Sequence, residues 1–340
     1  MRFKTLLLAG AAVSLLGASQ VSAGETLDNI REKGFIQCGV NGSGLAGFGV
    51  IGDNNEYVGM DIDVCKAVAA SLLGDPEAVK YTGLTAKERF TALQSGEVDL
   101  LSRNTTWTAS RDTALGLDFV GVTYYDGQGF MVPKELGVRS ALELDGASVC
   151  VQTGTTTELN LADYFRANNM QFEGVVFEST DELIPAFVSG RCDVFTTDAS
   201  GLYAERTKFE NPDDYMVLPE IISKEPLGPA VRHGDDEWAD IARWTVYALI
   251  EAEELGITQD NIEEMKESTN PSIRRLLGVE GEIGEGLGLD ADWAAKAIAA
   301  VGNYGEIFER NVGAETPLGI DRGLNRLWTD GGLIYAMPIR

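Results

Sequence analysis

The sequence predicts an α/β protein of two lobes, each built on a sheet of parallel strands. Two stretches of similar plan, residues 35–101 and 147–195, carry this prediction. Each begins with an apolar strand and a loop rich in Gly or Thr, and each later has a helix that ends at Ser-Gly before another strand. Apolar strands that alternate with amphipathic helices are typical of parallel sheets covered by helices.

The chain opens with an export signal. Residues 1–4 (MRFK) are a short basic start, residues 6–16 are an apolar core, and residues 21–23 (VSA) match a cleavage site. The apolar run is shorter than the roughly 20 residues that a membrane-spanning helix needs, and no cysteine lies near the cut to carry a lipid anchor. We therefore expect cleavage after Ala23 and a soluble mature protein without stable membrane insertion, rather than a retained anchor.

Length and charge limit the classes of protein that the chain can belong to. The full sequence of 340 residues is long enough for two domains with their own cores. Its formal net charge of −26 would repel nucleic acid, because phosphate binding needs clustered Lys and Arg. We therefore expect no nucleic-acid partner, and the acidic surface by itself identifies no ligand.

The four cysteines are Cys38, Cys65, Cys150 and Cys192. An exported location favours disulfides, and four cysteines allow three pairings. Their wide separation lacks the compact spacings of structural zinc sites, so we expect no metal.

The first stretch predicts a strand at residues 35–40, a Gly-rich loop at 41–44, a helix that begins at Thr85 with Glu88 three residues on, and a strand at 97–101. The second stretch repeats this order.

Its elements are a strand at 147–152, a loop at 153–155, a helix that begins at Ser179 with Glu182 three residues on, and a strand at 191–195.

The chain is expected to cross between the lobes twice. Gly, Pro and aromatic residues interrupt the alternation of helices and strands at residues 121–129 and 223–231. Residues 238–254 would then return to the first lobe, which makes that lobe discontinuous. The expected parts are the signal peptide at 1–23, lobe 1 at 24–124, lobe 2 at 125–226, and the return to lobe 1 with a C-terminal extension at 227–340.

Ligands of open parallel sheets collect beyond the carboxyl ends of the strands. The loops expected there are residues 41–48, 102–111, 153–157 and 196–198.

These loops carry groups that suit a zwitterion. Arg111 can hold a carboxylate through its guanidinium fork, and Thr155 and Thr156 stand at a predicted helix start, where free N–H groups favour an anion. Asp198 follows a buried strand and can pair with an ammonium. Together they match the charges of an α-amino acid.

Each of these residues also has a purely structural interpretation. Arg111 could pair with Asp112 or Asp118, Thr155 could only cap its helix, and Asp198 could cap the next helix. The loop at residues 41–49 lacks both the GxxxxGK[ST] pattern and a complete GxGxxG fingerprint, which argues against nucleotide binding.

Several motifs resemble the periplasmic polar-amino-acid-binding proteins of ABC importers, solute-binding protein family 3, and within them the general L-amino-acid-binding branch of alphaproteobacteria. The resemblance covers essentially the whole mature chain. The motifs are residues 84–99 (LTAKERFTALQSGEVD), 103–108 (RNTTWT), 126–129 (DGQG), 152–156 (QTGTT), 222–229 (ISKEPLGP), 302–308 (GNYGEIF) and 327–335 (LWTDGGLIY).

The resemblance implies a type II periplasmic-binding-protein fold, in which two α/β lobes are joined by two hinge strands. It implies that Arg111 binds the α-carboxylate of the ligand, helped by Thr106 and Thr156, and that Asp198 binds the α-ammonium. Arg89 matches an arginine that contacts the ligand in relatives specific for acidic amino acids, where it would reach a carboxylate or an amide.

Three further positions bear on the ligand. Asn104 stands where relatives often have a small Ser or Gly. Leu45 lies near a position where several relatives stack an aromatic ring on the ligand, which weighs against a cationic ligand. Phe48 is expected to supply the apolar wall instead.

The resemblance also implies disulfides between Cys38 and Cys65 in lobe 1 and between Cys150 and Cys192 in lobe 2, so that the hinge stays free. It implies a periplasmic monomer without cofactor that binds a broad range of L-amino acids, including Glu, Gln, Asp and Asn. Ligand would close the lobes, and an inner-membrane ABC permease would recognise the closed form.

Two other classes stay open at this stage. Periplasmic dehydratases share a similar two-lobed fold, and Glu or Asp could supply acid-base catalysis, whereas the sole histidine, His233, is expected on a solvated surface. A receptor ectodomain for sensing is the third class.

Overall fold

The computed structural model describes residues 24–340, so the expected signal peptide and cleavage site lie outside the described part. Its strands are β1 (Ile36–Asn41), β2 (Val50–Ile51), β3 (Tyr57–Val58), β4 (Val79–Leu84), β5 (Leu100–Leu101), β6 (Leu117–Phe119), β7 (Tyr124–Asp126), β8 (Gln128–Pro133), β9 (Ser148–Gln152), β10 (Glu173–Phe177), β11 (Val194–Asp198), β12 (Tyr215–Val217), β13 (Glu225–Leu227) and β14 (Ala230–Arg232).

Helices cover both sheets and build most of the C-terminal part. They are α1 (Glu25–Lys33), α2 (Met60–Leu73), α3 (Arg89–Ser95), α4 (Ala109–Thr113), α5 (Thr156–Ala167), α6 (Thr180–Val188), α7 (Ala199–Arg206), α8 (Asp236–Glu254), α9 (Ile262–Lys266), α10 (Pro271–Leu276), α11 (Ile283–Gly286), α12 (Trp293–Val301) and α13 (Tyr304–Asn311). Across residues 24–340, none of the helices is both long and apolar enough to cross a membrane.

Two five-stranded sheets share one plan. Lobe 1 has the order β4-β1-β5-β14-β6, and lobe 2 has the order β10-β9-β11-β8-β12. In each sheet the first three strands are parallel and the last two run antiparallel to their neighbours. The repeat in the sequence therefore corresponds to a repeated lobe, but the expectation of purely parallel sheets was wrong, because each chain crossing delivers a strand in the opposite direction.

The predicted helix starts correspond to real caps, with one shift along the chain. Ser179 caps α6 by accepting from the Glu182 N–H, as its motif predicts. Thr85 and Glu88 also exchange reciprocal hydrogen bonds, yet the regular helix α3 begins only at Arg89. The strands expected at residues 97–101 and 191–195 are shorter or later than predicted, because β5 begins at Leu100 and β11 at Val194.

The two crossings pair with each other as a hinge. Strands β7 and β13 form an antiparallel two-stranded ribbon in which Asp126 lies opposite Glu225. Both strands fall inside the expected crossing segments, and the expected lobe boundaries fall within the ribbon. A Cβ on Gly228 would stand 1.9 Å from the Gly121 carbonyl oxygen, so only glycine lets the crossings approach this closely.

Both cysteine pairs lie within single lobes. The structure joins Cys38 on β1 to Cys65 on α2, with Cα atoms 6.4 Å apart. It joins Cys150 on β9 to Cys192 just before β11, with Cα atoms 5.6 Å apart. These are the pairs that the resemblance implied, and neither bond crosses the hinge.

Residues 262–340 form an extension that packs on lobe 1. Helix α12 lies against α2 and α8, and the Ser71 hydroxyl donates to the Trp293 carbonyl oxygen. The extension completes a large apolar cluster that also includes Phe48, Tyr124 and Val246. Lobe 1 therefore depends on the extension to cover apolar faces of α2 and α8.

The extension also binds the hinge ribbon directly. The Asn325 side chain accepts from the Tyr125 N–H and donates to the Tyr125 carbonyl oxygen, at 2.6 and 3.1 Å. The Tyr304 hydroxyl donates to the Thr123 carbonyl oxygen at 3.0 Å. One edge of β7 is therefore satisfied by side chains of the extension.

Phe308 should make a large contribution to folding stability, because its fully buried ring stacks on Tyr124 within this cluster. We expect Phe308→Ala to lower the free energy of unfolding by about 3–5 kcal/mol, through lost burial and a residual cavity. Urea denaturation followed by circular dichroism measures the change. Leu324→Ala, at a position 57% exposed on the same extension, is the control and should change stability by less than about 0.5 kcal/mol. Equal stabilities of the two variants would contradict the packing described here.

Candidate functional site

The main cleft lies between the lobes, where the carboxyl ends of β1, β5, β9 and β11 face one another. It encloses a cavity of about 50 Å³. All four expected loops therefore converge. The lining residues are Asn41, Leu45, Arg89, Arg103, Asn104, Thr106, Gln152, Thr155, Thr156, Thr157, Thr180, Leu183, Phe195, Thr196, Thr197, Asp198, Ser200, Gly201 and Glu205.

The lobes are in contact around this cavity. The Thr106 and Thr156 hydroxyl oxygens, one from each lobe, are 3.4 Å apart. A Cβ on Gly154, whose φ is +74°, would stand 3.2 Å from the Lys87 Cα. Lys208, two residues after the end of α7, donates to the Gly44 carbonyl oxygen of lobe 1 at 3.1 Å. The structure is therefore a closed form.

Arg89 supplies a buried cation from lobe 1. It is the first residue of α3, its surface is 3% exposed, and burial lowers the pKa of its guanidinium, with the charges of Arg103 and Arg111 adding to that effect. Its Nη1 donates to the Thr105 hydroxyl at 3.3 Å. Its Nε is buried and has no partner among residues 24–340, which leaves a donor for a bound molecule.

Arg111 lies beside the cavity but outside its lining. The Thr108 hydroxyl caps the short helix α4 on which Arg111 stands, and the Arg111 Nη1 donates to the Thr106 carbonyl oxygen at 2.8 Å. Burial lowers its pKa to about 10, while the charges of Glu225 and Asp198 oppose the shift. The guanidinium thus faces the acids of the cleft.

The surface pairs considered for Arg111 are not those that form. Among the described residues, its hydrogen bond runs to Thr106, and Asp118 instead lies 3.4 Å from the ring of His233. His233 is 46% exposed in its side chain, away from the cavity lining.

Asp61 anchors the loop that follows β5, and the sequence analysis did not identify it. Its carboxylate accepts from the Asn104 N–H at 2.8 Å and from the Ser102 hydroxyl. Burial raises the pKa of Asp61 to about 6, against the opposing hydrogen bonds and the charge of Arg103. The available signal was an acid in the first turn of α2, a helix whose other residues, apart from Asp63, Lys66 and Ser71, are apolar.

Asn104 shapes this loop through its backbone. Its φ is +35°, in the left-handed region that Asn tolerates better than most residues. The Asn41 side chain donates to its amide oxygen at 3.4 Å. The Asn104 side chain also lines the cavity. The positive φ of its backbone is by itself enough to explain an Asn at this position.

Lobe 2 presents the N-terminus of α5. Thr155 caps this helix by accepting from the Glu158 N–H at 3.3 Å and donates to the Gln152 carbonyl oxygen. Thr156 and Thr157 are the first helical residues, so their N–H groups precede the intrahelical ladder. Thr155 is therefore a cap, and α5 carries partial positive charge at the cavity.

Two acids lie near each other beside the cavity: Asp198, which lines it, and Asp126 at the end of hinge strand β7, which is outside its lining. Asp198 ends β11 and makes no side-chain cap to α7, so the structural interpretation of Asp198 as a cap is not supported. Burial raises the pKa of Asp198 well above its ordinary value, and the charges of Asp126 and Glu225 raise it further. Burial likewise raises the pKa of Asp126 to about 6, although Ser200 and Gly127 donate hydrogen bonds to it.

The apolar wall is not formed as expected. Phe48 is outside the cavity lining, because its ring packs edge-on against Tyr124, with centroids 5.2 Å apart. Leu45 lines the cavity from lobe 1, and Leu183 and Phe195 line it from lobe 2. Both lobes thus contribute apolar side chains to the cavity, with the one aromatic ring of the lining, Phe195, coming from lobe 2.

The side chains that commonly bind metals in proteins do not form a metal site in the described part of the chain. Within residues 24–340, no cluster of three or more His, Cys, Asp or Glu side chains could hold a metal ion. Asp61, Asp126 and Glu225 instead accept hydrogen bonds from hydroxyls, main-chain N–H groups and a side-chain amide.

Residues 36–261 match the family described as bacterial extracellular solute-binding proteins, family 3, and the chain belongs to that family. The two-lobed type II fold expected from the sequence is therefore confirmed. The alternative as a periplasmic enzyme has no support, because members of this family are solute-binding proteins.

Particular relatives match nearly the whole chain. It is 63% identical over 333 residues to the general L-amino acid-binding periplasmic protein AapJ of Rhizobium johnstonii, with 97% of each chain covered. It is 58% identical over 338 residues to the glutamate/glutamine/aspartate/asparagine-binding protein BztA of Rhodobacter capsulatus, with 99% of each covered. It is 61% identical to an ABC transporter periplasmic binding protein from Brucella ovis, whose structure has glutathione bound. The two structures superpose with a TM-score of 0.90, and the match covers 93% of this chain and 99% of the Brucella chain.

If the ammonium of an amino-acid ligand pairs with Asp198, beside Asp126, its affinity should depend on pH. Because the folded pKa of Asp126 is raised to about 6, this pair takes up a proton as the pH falls through that region. A bound ammonium favours the carboxylate form, so binding releases the proton. We expect the affinity for L-glutamine, whose side chain does not titrate, to weaken below about pH 6, by at most tenfold per pH unit for each proton.

Calorimetric titrations at several values between pH 5 and pH 8 measure this dependence. Asp126→Asn should flatten the profile, whereas Asp213→Asn, at an exposed position of lobe 2, should leave it as in the wild type. An affinity for glutamine that stays constant from pH 8 to pH 5 would show that these acids do not meet the ammonium.

Proposed function

We propose that this chain is the periplasmic binding component of an ABC importer for L-amino acids, and that it holds its ligand between the two lobes. The observation that carries the proposal is the placement of opposite charges across one small cavity. Arg89 and Arg103 line the cavity from lobe 1, with Arg111 beside them. The N-terminus of α5 and the carboxylate of Asp198 line it from lobe 2.

The α-carboxylate of the ligand is assigned to Arg111 and to the first N–H groups of α5. A guanidinium and a helix N-terminus both favour an anion. The α-ammonium is assigned to Asp198, whose charge the protein alone leaves poorly compensated beside Asp126. These two assignments use both lobes, so the ligand stabilises the closed form more than the open one.

The side chain of the ligand is assigned to Arg89. Its buried Nε has no hydrogen-bond partner within residues 24–340, and an unpaired buried donor selects for a ligand that accepts a hydrogen bond there. A carboxylate or an amide oxygen meets this need, which supports Glu, Gln, Asp and Asn as ligands. BztA, the relative from Rhodobacter capsulatus, is named for these four amino acids.

The cavity volume supports a free amino acid over a longer peptide. One water needs roughly 10–15 Å³ of comparable space, so about 50 Å³ admits only a small molecule. The Brucella ovis relative holds glutathione, whose γ-glutamyl end also carries an α-ammonium and an α-carboxylate. Glutathione would fit this cleft only if the lobes were further apart.

The proposed partners follow from the family. Solute-binding proteins deliver ligand to a membrane permease, and the expected signal at residues 1–23 would place this chain in the periplasm, where we propose that it acts as a monomer. Ligand-induced closure brings the contacts of Lys87, Gly154 and Lys208 together. The permease would then distinguish the closed form by the surface that these contacts create.

Removing either charge that meets the backbone of the ligand should weaken binding strongly. Loss of one member of a buried charged pair costs about 2–5 kcal/mol, so Arg111→Ala and Asp198→Asn should each weaken affinity by at least about 30-fold. Calorimetry with all common L-amino acids and with glutathione measures the change. Arg139→Ala and Asp213→Asn, both exposed, are the matched controls and should bind as the wild type does.

If the wild-type protein bound no L-amino acid, the proposed class of ligand would be wrong. Binding of glutathione alone would keep solute binding but overturn the choice of free amino acids. Unchanged affinity in both Arg111→Ala and Asp198→Asn would contradict the assigned clamp while leaving the cargo intact.

Arg89 should set the preference among ligands rather than binding in general. We expect Arg89→Met to weaken glutamate and glutamine by about 10-fold or more, because hydrogen bonds to a charged group contribute about 1.5–3 kcal/mol. Alanine, which has no side-chain acceptor, should lose much less. Competition calorimetry with these three ligands gives the ratio, and equal losses for all three would contradict the assignment.

A further inference from the structure

Glu225 is a buried carboxylate on the hinge that joins both lobes through hydrogen bonds. It is the first residue of β13 and is 1% exposed. Its Oε2 accepts from the Thr106 hydroxyl of lobe 1 at 2.7 Å and from the Thr156 hydroxyl of lobe 2 at 2.8 Å. Its Oε1 accepts from the Ser223 hydroxyl at 2.6 Å and from the Asn160 amide at 2.7 Å.

These bonds determine whether the two threonine hydroxyls can donate or accept a hydrogen bond in the cavity. A hydroxyl has one hydrogen to donate and two lone pairs that accept. Thr106 and Thr156 each give that hydrogen to the same oxygen of Glu225, and both line the cavity. Toward a bound molecule they therefore present lone pairs, and they accept hydrogen bonds rather than donate them.

We propose that Glu225 is a positioning residue for ligand recognition, which holds one threonine hydroxyl from each lobe as a hydrogen-bond acceptor facing the cavity. The proposal rests on the amino-acid binding proposed above. Together with Asp198, the oriented hydroxyls favour the N–H donors of an ammonium and disfavour a second carboxylate at this point. The α-carboxylate is left to Arg111 and the main-chain N–H groups of α5.

This arrangement also changes the role that the resemblance implied for Thr106 and Thr156. They were expected to help bind the α-carboxylate; their main-chain N–H groups can still do so, whereas hydroxyls that already donate to Glu225 cannot. Because Thr106 comes from lobe 1 and Thr156 from lobe 2, and their oxygens are 3.4 Å apart, a single atom of Glu225 orients both only when the lobes are closed. Recognition of the ammonium is thereby coupled to closure.

A hinge residue that only ties strands together would give different results from a residue that orients hydroxyls. Glu225→Gln removes the charge but keeps an amide oxygen that can accept from both threonines. Glu225→Ala leaves the hydroxyls free to turn toward a ligand carboxylate or to lose their partner. The two variants therefore separate orientation from charge and from simple packing.

Calorimetry with L-glutamine and L-glutamate on the full mature chain tests the proposal. We expect Glu225→Gln to bind within about threefold of the wild type. Glu225→Ala should bind about 10- to 100-fold more weakly, because buried hydroxyl groups lose the partner that fixes them. In a Thr106→Val, Thr156→Val background the further effect of Glu225→Ala should be much smaller, since residues that act as one unit are not additive.

Three results would overturn the proposal: wild-type affinity in Glu225→Ala, equal losses in Glu225→Ala and Glu225→Gln, or additive losses in the threonine background. Thermal unfolding of each ligand-free variant checks that it folds. If Glu225→Ala does not fold, Thr156→Ser should keep affinity and Thr156→Val should lose it, and equal affinities of these two would overturn the proposal. A wild-type protein that binds neither amino acid would instead contradict the proposed function, before any variant is compared.

Discussion

The burial of charge in the cleft is the constraint on which the rest of the structure depends. Arg89, Arg103, Arg111, Asp61 and Asp198 are all buried there, and an ionised group removed from water costs several kcal/mol unless it is paired. Arg103 and Asp61 compensate each other in part. Arg89 and Asp198 are less completely compensated, so an amino acid that brings a side-chain acceptor to Arg89 and its ammonium to Asp198 would lower the cost of closing the lobes. The cleft favours closure around a ligand for an electrostatic reason, not because its walls are apolar.

The architecture directs this charge to one point and lets the lobes move around it. The parallel strands of both sheets end at the cavity, and the starts of α5 and α7 follow β9 and β11 directly. The lobes are connected by a ribbon of two three-residue strands, while each disulfide lies inside one lobe. Bending is thus concentrated where few backbone hydrogen bonds have to change, and the geometry inside each lobe is kept.

The sequence predicted much of this because repeated local patterns determine it. Ser179 with Glu182, the apolar runs around Cys38 and Cys150, and the Gly-rich crossings all act over a few residues. The direction of β8 and β14 was missed, because antiparallel pairing depends on where the chain returns rather than on local composition. Phe48 was misplaced for a related reason: the residues that pack its ring are distant in the chain. Asp61, Asp126 and Glu225 were missed because their importance lies in partners from other elements.

The extension connects the outside of lobe 1 to the ligand cavity through a short path. Gly47 is so tightly enclosed that a Cβ there would stand 2.5 Å from the Val312 side chain and 2.6 Å from Leu318, and Leu45, two residues earlier, lines the cavity. The part of the chain matched by the family ends at residue 261. Val312 and Leu318 therefore limit the backbone positions open to the loop that carries Leu45, so a segment beyond the family match constrains one wall of the cavity although none of its residues lines it.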